Sequence, residues 1–134
     1  GGEDMRLLDN GTLHVDGDIV AYSSTISDKR LKDNVTTIEN PLDKIKALRG
    51  VEYDWNNGSK KGMHDLGLIA QEVEEVIPEI ISEHTLPFVE GDGDTLYKTV
   101  DYEKMVAVLI EGMKEQQTQI DSLKEEIEIL KGTK

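Results

Sequence analysis

The chain has 134 residues, a net charge of −13, no cysteine and only 4% aromatic residues, which suits one modest domain with a thin core and favours self-association. The acidic balance speaks against nucleic acid and anionic membrane surfaces as partners, because both need a basic footprint. No apolar run long enough to span a membrane and no signal-peptide pattern occurs, and the lack of cysteine removes disulfides and thiolate sites and fits a reducing compartment.

Residues 7–21 read as a β lead-in. Leu13, Val15, Ile19 and Ala21 alternate with polar residues, and Asn10-Gly11 and Asp16-Gly17 are turn signals. Two short strands bury little, so this piece is expected to continue a longer β-structure or to pair with copies of itself. His14 reads as a strand-surface residue, and His64 and His84 show no metal-ligand spacing. Asp16-Gly17-Asp18 lacks the remaining positions of a calcium loop and reads as a turn. No metal site is expected.

The stretch Ser27-Asp28-Lys29-Arg30-Leu31-Lys32-Asp33-Asn34 comes next. It holds a hydroxyl and, five residues on, an amine, which are the parts of a nucleophile-plus-base pair. The spacing alone is weak evidence, and the bland alternative is a turn-capping serine with a solvated lysine. Arg30 reads equally as an orienting or charge-stabilising group and as a surface ion pair with Asp28 or Asp33.

A helix is expected from Asn40-Pro41-Leu42-Asp43, with Asn40 as cap and Pro41 at its first position. Leu42, Ile45 and Leu48 share one face, and Gly50 is the expected stop. Val51 to Trp55 alternates as a strand, residues 56–62 form a loop that lacks the order of a phosphate-binding loop, and Leu66 to Ile69 reads as a short buried strand. Ala70 to Ile77 reads as a helix with Val73, Val76 and Ile77 inward, ended by Pro78, after which Ile80 and Ile81 rejoin the core. Residues 90–94 read as a hairpin tip between Phe88-Val89 and a strand from Thr95 to Val100.

From Asp101, a candidate N-cap, the chain is free of proline. Tyr102, Val106, Leu109, Met113, Gln116, Ile120, Leu123, Ile127 and Leu130 follow alternating steps of four and three. This is a heptad seam of a parallel coiled coil, with Glu126 and Lys131 placed to pair between chains and Gln116 as a polar layer. Isoleucine at a with leucine at d points to two strands. The bland alternative is one helix packed on its own domain. The fold class expected is α+β: a small mixed unit with a short β lead-in and a long C-terminal coiled-coil helix.

Four motifs in this order resemble the C-terminal intramolecular chaperone domain of bacteriophage tailspikes, tail fibres and neck appendages, the S74 self-cleaving peptidase family. They are Ser27-Asp28-x-Arg30-Leu31-Lys32-x-Asn34, Leu48-x-Gly50-Val51-x-Tyr53-x-Trp55, Gly67-Leu68-Ile69-Ala70-Gln71-Glu72-Val73, and Val100-Asp101-Tyr102 running into the heptads. The resemblance covers about residues 27 to 130. It implies an intertwined homotrimer, against the two strands of the a/d rule. It divides the chain into the end of a fibre β-structure (1–26), the chaperone and autoprotease domain (27–100) and the coiled-coil helix (101–134).

The resemblance further implies a chaperone that folds the fibre covalently joined to its N-terminus and then cuts itself off between Ile26 and Ser27. Ser27 is the implied nucleophile and Lys32 the implied general base, with Asp28, Arg30 and Asn34 as motif support. Its implied place is the host cytoplasm during virion assembly, with the fibre passing to the virion and the cut domain released. No cofactor is expected; ATP enters only by analogy with phage members of the family. A working base needs its lysine well below the ordinary ~10.4. Five residues of straight strand span ~17 Å, so residues 28–31 must turn back or Lys32 must serve a neighbouring chain. The alternative from a different class is a non-catalytic trimerisation cap.

Overall fold

A computed structural model describes residues 5–9, 13–15, 24–86 and 94–132. Among the described residues, six short strands and three α-helices follow in the order β1 (Met5–Leu7), β2 (Leu13–Val15), α1 (Pro41–Ala47), β3 (Val51–Asp54), β4 (His64–Gly67), α2 (Ala70–Val76), β5 (Ile81–Thr85), β6 (Leu96–Val100) and α3 (Met105–Gly132). The strands pair only with their sequence neighbours, as three separate antiparallel two-stranded sheets. The fold is α+β, as expected. Such ribbons are marginal by themselves, so the helices must supply the core.

That core is small. Val73 and Ile77 of the α2 turn, Ile80, and Met105 and Val108 of α3 are buried together. Ile38, Ile45, Leu48, Leu68, Val76, Ile81 and Val100 pack around them. The period of α2 works as the sequence reads: Val73 and Ile77 lie one turn apart and point inward, and Pro78 turns the chain into a single 3-10 turn, Pro78–Ile80, that delivers Ile80 and Ile81 to the core.

The start of α1 differs from expectation in its chemistry. Asn40 is the cap residue, but its backbone is left-handed (φ 52°, ψ 48°) and its side chain makes no capping bond. The first turn is closed instead from a distance of 73 residues, where Leu42 N donates to Glu115 Oε2 of α3 at 3.1 Å. A carboxylate at a helix N-terminus satisfies an orphan donor and complements the dipole. The helix also ends earlier than expected: Leu48 is extended (φ −91°, ψ 159°) and closes the last turn through its N–H to Ile45 O, two residues before Gly50. Leu48 still reaches the core, from outside the helix.

Other departures follow from thin layering. The strand expected at Leu66–Ile69 begins at His64 and is not buried: Leu66 is 72% exposed, because the face it occupies on the β3–β4 ribbon has nothing over it. Residues 81–85, not expected as a strand, form β5 and pair Ile81 with Val100 through Thr85 with Leu96. In the lead-in, residues 5–7 pair with residues 13–15. Asn10-Gly11, residues 16–23, and the Phe88-Val89 flank and residues 90–93 of the expected hairpin tip lie outside the described residues, as does the side chain of His14.

One helix presents two stripes. Met105, Val108 and Gly112 of α3 are buried, Gly112 beneath Ile45 and Leu42 of α1, where a Cβ would collide with the Ile45 side chain. The heptad positions lie one residue on. Tyr102, Val106, Leu109, Met113, Ile120, Leu123, Ile127 and Leu130 are all 45–73% exposed, and Gln116 is exposed too. The helix therefore packs on its own domain through its N-terminal half, and does so without using the seam residues from Val106 onward. No helix among the described residues is long and apolar enough to cross a membrane.

Replacing Glu115 by alanine should lower unfolding stability by about 0.5–2 kcal/mol, the usual cost of losing a cap, whereas Glu115→Gln, which keeps an acceptor oxygen, should lose less. Urea denaturation of the two variants at matched protein concentration checks both.

Candidate functional site

Residues 24–37 run over the surface, every one exposed. Within this segment the chain makes one tight 3-10 turn, Lys29–Leu31. Asp28 caps it: its Oδ1 accepts from Arg30 N at 2.9 Å, and the backbone closes through Leu31 N to Asp28 O and Lys32 N to Lys29 O, each 3.1 Å. Aspartate suits this position because its short carboxylate reaches a backbone N–H two residues on. The same carboxylate takes a fork from the Arg30 side chain, Nε to Oδ1 at 3.1 Å and Nη2 to Oδ2 at 2.9 Å. Arg30 thus pairs with Asp28 and not with Asp33. Hydrogen bonds from the Arg30 side chain and backbone hold the Asp28 carboxyl below its ordinary range, and the Arg30 guanidinium is raised by the same side-chain bond.

The turn brings the two chemical groups together. Lys32 Nζ lies 2.5 Å from Ser27 Oγ. A straight strand would hold them ~17 Å apart; the reversal at 28–31 removes that distance within one chain. After Lys32, Asn34 takes a left-handed conformation (φ 55°), which asparagine tolerates better than most residues and which redirects the chain. Ile26, Leu31 and Val35 flank the pair and are 81%, 75% and 77% exposed, so the described residues offer neither group an apolar cover.

The other motif residues lie away from this pair and hold the domain together. Tyr102 reaches back from the entry to α3: its hydroxyl accepts from Leu68 N at 3.0 Å and lies against Gly67, where a Cβ would come within 2.8 Å of it. Glu72 takes a two-pronged bond from Arg49, 3.1 Å and 2.7 Å, which ties the end of α1 to α2. Tyr53 and Trp55 meet edge to face with centroids 5.2 Å apart, and Trp55 Nε1 donates to Asp65 at 3.1 Å. Tyr53, Trp55, Leu68, Tyr97 and Tyr102 line an open groove of about 940 Å³. Sequence reading missed Arg49 and Glu115, since nothing local marks an ion-pair partner 23 residues away or a cap 73 residues away.

Residues 27–82 match the Peptidase S74 family model, described as the chaperone of endosialidase. The match begins at Ser27. The S74 resemblance is thus matched over residues 27–82. It is also similar to the long tail fiber protein Gp37 of Enterobacteria phage K3 and of Enterobacteria phage T2, each 32% identical over 121 residues, or 88% of this chain. The Gp37 of Salmonella phage S16 is 29% identical over 134 residues, or 94% of this chain. The chain spans 9% of the length of the K3 and T2 proteins and 17% of the S16 protein.

His64 on β4 stands apart from the S74 turn, with Nδ1 2.8 Å from Asp54 and Nε2 3.3 Å from Glu52. Hydrogen bonds donated by its ring to Asp54, then to Glu52, raise its pKa above the ordinary 6.5. The protonated form is therefore the one the fold favours. Its contribution to stability should be complete below the ordinary value and should vanish as pH rises through the raised one. Urea midpoints of wild type and His64→Gln across this range should diverge on the acid side and converge on the alkaline side; parallel curves would show that the two carboxylates do not act on His64.

Proposed function

We propose that the chain is the intramolecular chaperone of a phage tail fibre, acting as a homotrimer, and that it cuts itself between Ile26 and Ser27. The contact that carries this conclusion is Lys32 Nζ at 2.5 Å from Ser27 Oγ in the S74 turn. In this proposal residues 1–26 belong to the fibre, 27–100 to the chaperone and autoprotease, and 101–134 to the trimer-forming helix. The chaperoning takes place in the host cytoplasm during assembly, after which the fibre joins the virion and residues 27–134 are released.

The chemistry follows from the position of the nucleophile on its own scissile bond. Neutral Lys32 takes the proton of Ser27 Oγ, and Oγ attacks the carbonyl carbon of Ile26. The Ile26–Ser27 C–N bond breaks as the Ser27 nitrogen takes the proton from Lys32. The acyl group then sits on Oγ as an ester, and water hydrolyses it to an Ile26 carboxylate and a free Ser27 amine. Each chain turns over once. Lys32 must shed its proton to begin, and withdrawal from water favours that. The exposed flanks Ile26, Leu31 and Val35 leave this cover to neighbouring chains. Assembly through the exposed seam of α3 would then switch the cut on only after the chaperone has formed.

Intact mass of the wild type beside Ser27→Ala and Lys32→Ala tests the chemistry: a cut at Ile26–Ser27 in the wild type alone is expected, and cleavage of Ser27→Ala there would remove Ser27 as nucleophile. If the wild type stays whole while trimeric, with its fibre attached, the domain is a passive trimerisation cap. A second prediction concerns the gate. Ile120→Asp combined with Ile127→Asp should give monomers by sedimentation and slow the cut by ~10²-fold or more, as expected when a base loses its dry, positioned setting; full cleavage in those monomers would place the complete site in one chain.

A further inference from the structure

The pair Ser27–Lys32 rests on very little backbone. Its turn has two backbone hydrogen bonds and lies in a segment with no buried residue from 24 to 37. One isolated 3-10 turn is weakly held by itself. Yet the amine can meet the hydroxyl only while that turn is closed.

Against this stands one concentrated restraint. The Asp28 carboxylate receives three donors from Arg30: the backbone N–H, Nε and Nη2, at 2.9, 3.1 and 2.9 Å. Two of these form a planar fork to both carboxylate oxygens, the geometry that only a guanidinium supplies. An exposed ion pair adds little to global stability, and Arg30 is 84% exposed. Its effect here is local: it decides how much of the time four residues stay folded back.

We infer that Asp28 and Arg30 are positioning residues for the cut, forming a clasp that keeps Lys32 on Ser27. This rests on the self-cleavage proposed above. Neither residue touches the reacting carbonyl. Asp28 holds the turn through its cap to Arg30 N, and Arg30 holds Asp28 in the rotamer that makes the cap. Because the clasp lies in solvent, it is open to screening by salt, so ionic strength tunes the rate of self-cleavage at fixed assembly.

The test follows cleavage by intact mass after refolding of the full chain from urea, with assembly matched by sedimentation. Wild type, Arg30→Ala, Arg30→Lys and Asp28→Asn are compared at low and high sodium chloride. Arg30→Ala and Asp28→Asn should cut ~3-fold more slowly, the order by which loss of an exposed ion pair changes the closed-turn population, while still assembling. Arg30→Lys, which cannot form the fork, should recover only part of the rate. Free guanidinium at millimolar concentration should speed Arg30→Ala and leave Asp28→Asn unmoved. Wild-type cleavage should slow with salt, and the Arg30→Ala rate should not. Wild-type rates in Arg30→Ala, or equal salt slopes in the two, would overturn the clasp and leave self-cleavage standing. An uncut wild type would overturn both.

Discussion

The core of the domain depends on the contact between the first turns of α3 and the short elements beside it. Three two-stranded ribbons have no core of their own. Met105 and Val108 provide one by closing over Val73, Ile77 and Ile80. Gly112 lets α1 approach, and Glu115 finishes the N-terminus of that helix. Tyr102, just before the helix, fastens the β3–β4 ribbon through Leu68. A helix whose sequence advertises assembly is therefore also the keel of the monomer.

The elements with a strong period were legible in the sequence. The apolar positions of α2 and the seam of α3 repeat often enough to fix their faces, and Pro41 and Pro78 mark a start and a stop by covalent geometry. What was not legible is what tertiary contact decides. Leu48 leaves the helix because its turn closes at Ile45, although its spacing from Leu42 and Ile45 fits a helical face. Residues 81–85, Ile-Ser-Glu-His-Thr, carry little apolar alternation, and their pairing with β6 is what makes them a strand. Leu66 is apolar but faces outward, since a two-stranded ribbon has two faces and this domain covers one.

The site followed the opposite logic. Its two chemical residues stood out by type, and the family motif named them, but spacing alone left two geometries open. The deciding features were local and small: an aspartate that caps its own turn, an arginine that grips that aspartate, and an asparagine in a left-handed conformation just after Lys32. Such side-chain-to-backbone chemistry competes well with extended structure over a few residues. It also explains how so exposed a segment holds a defined shape. Its apolar flanks, by contrast, have nothing to pack against among the described residues.

The one-residue offset between the two stripes of α3 has a mechanical meaning. Adjacent helical residues point about 100° apart, so the stripe that grips the domain and the stripe of heptads are locked at a fixed azimuth by a continuous rod of 28 residues with no proline. Any bundle closed by the seam would set the rotational phase of each domain about the common axis without a hinge, and would set it alike for every chain. The helix would then serve as an indexing shaft: it dictates not only how many chains meet but which surface each turns toward its neighbour, and so which exposed residues the next chain covers.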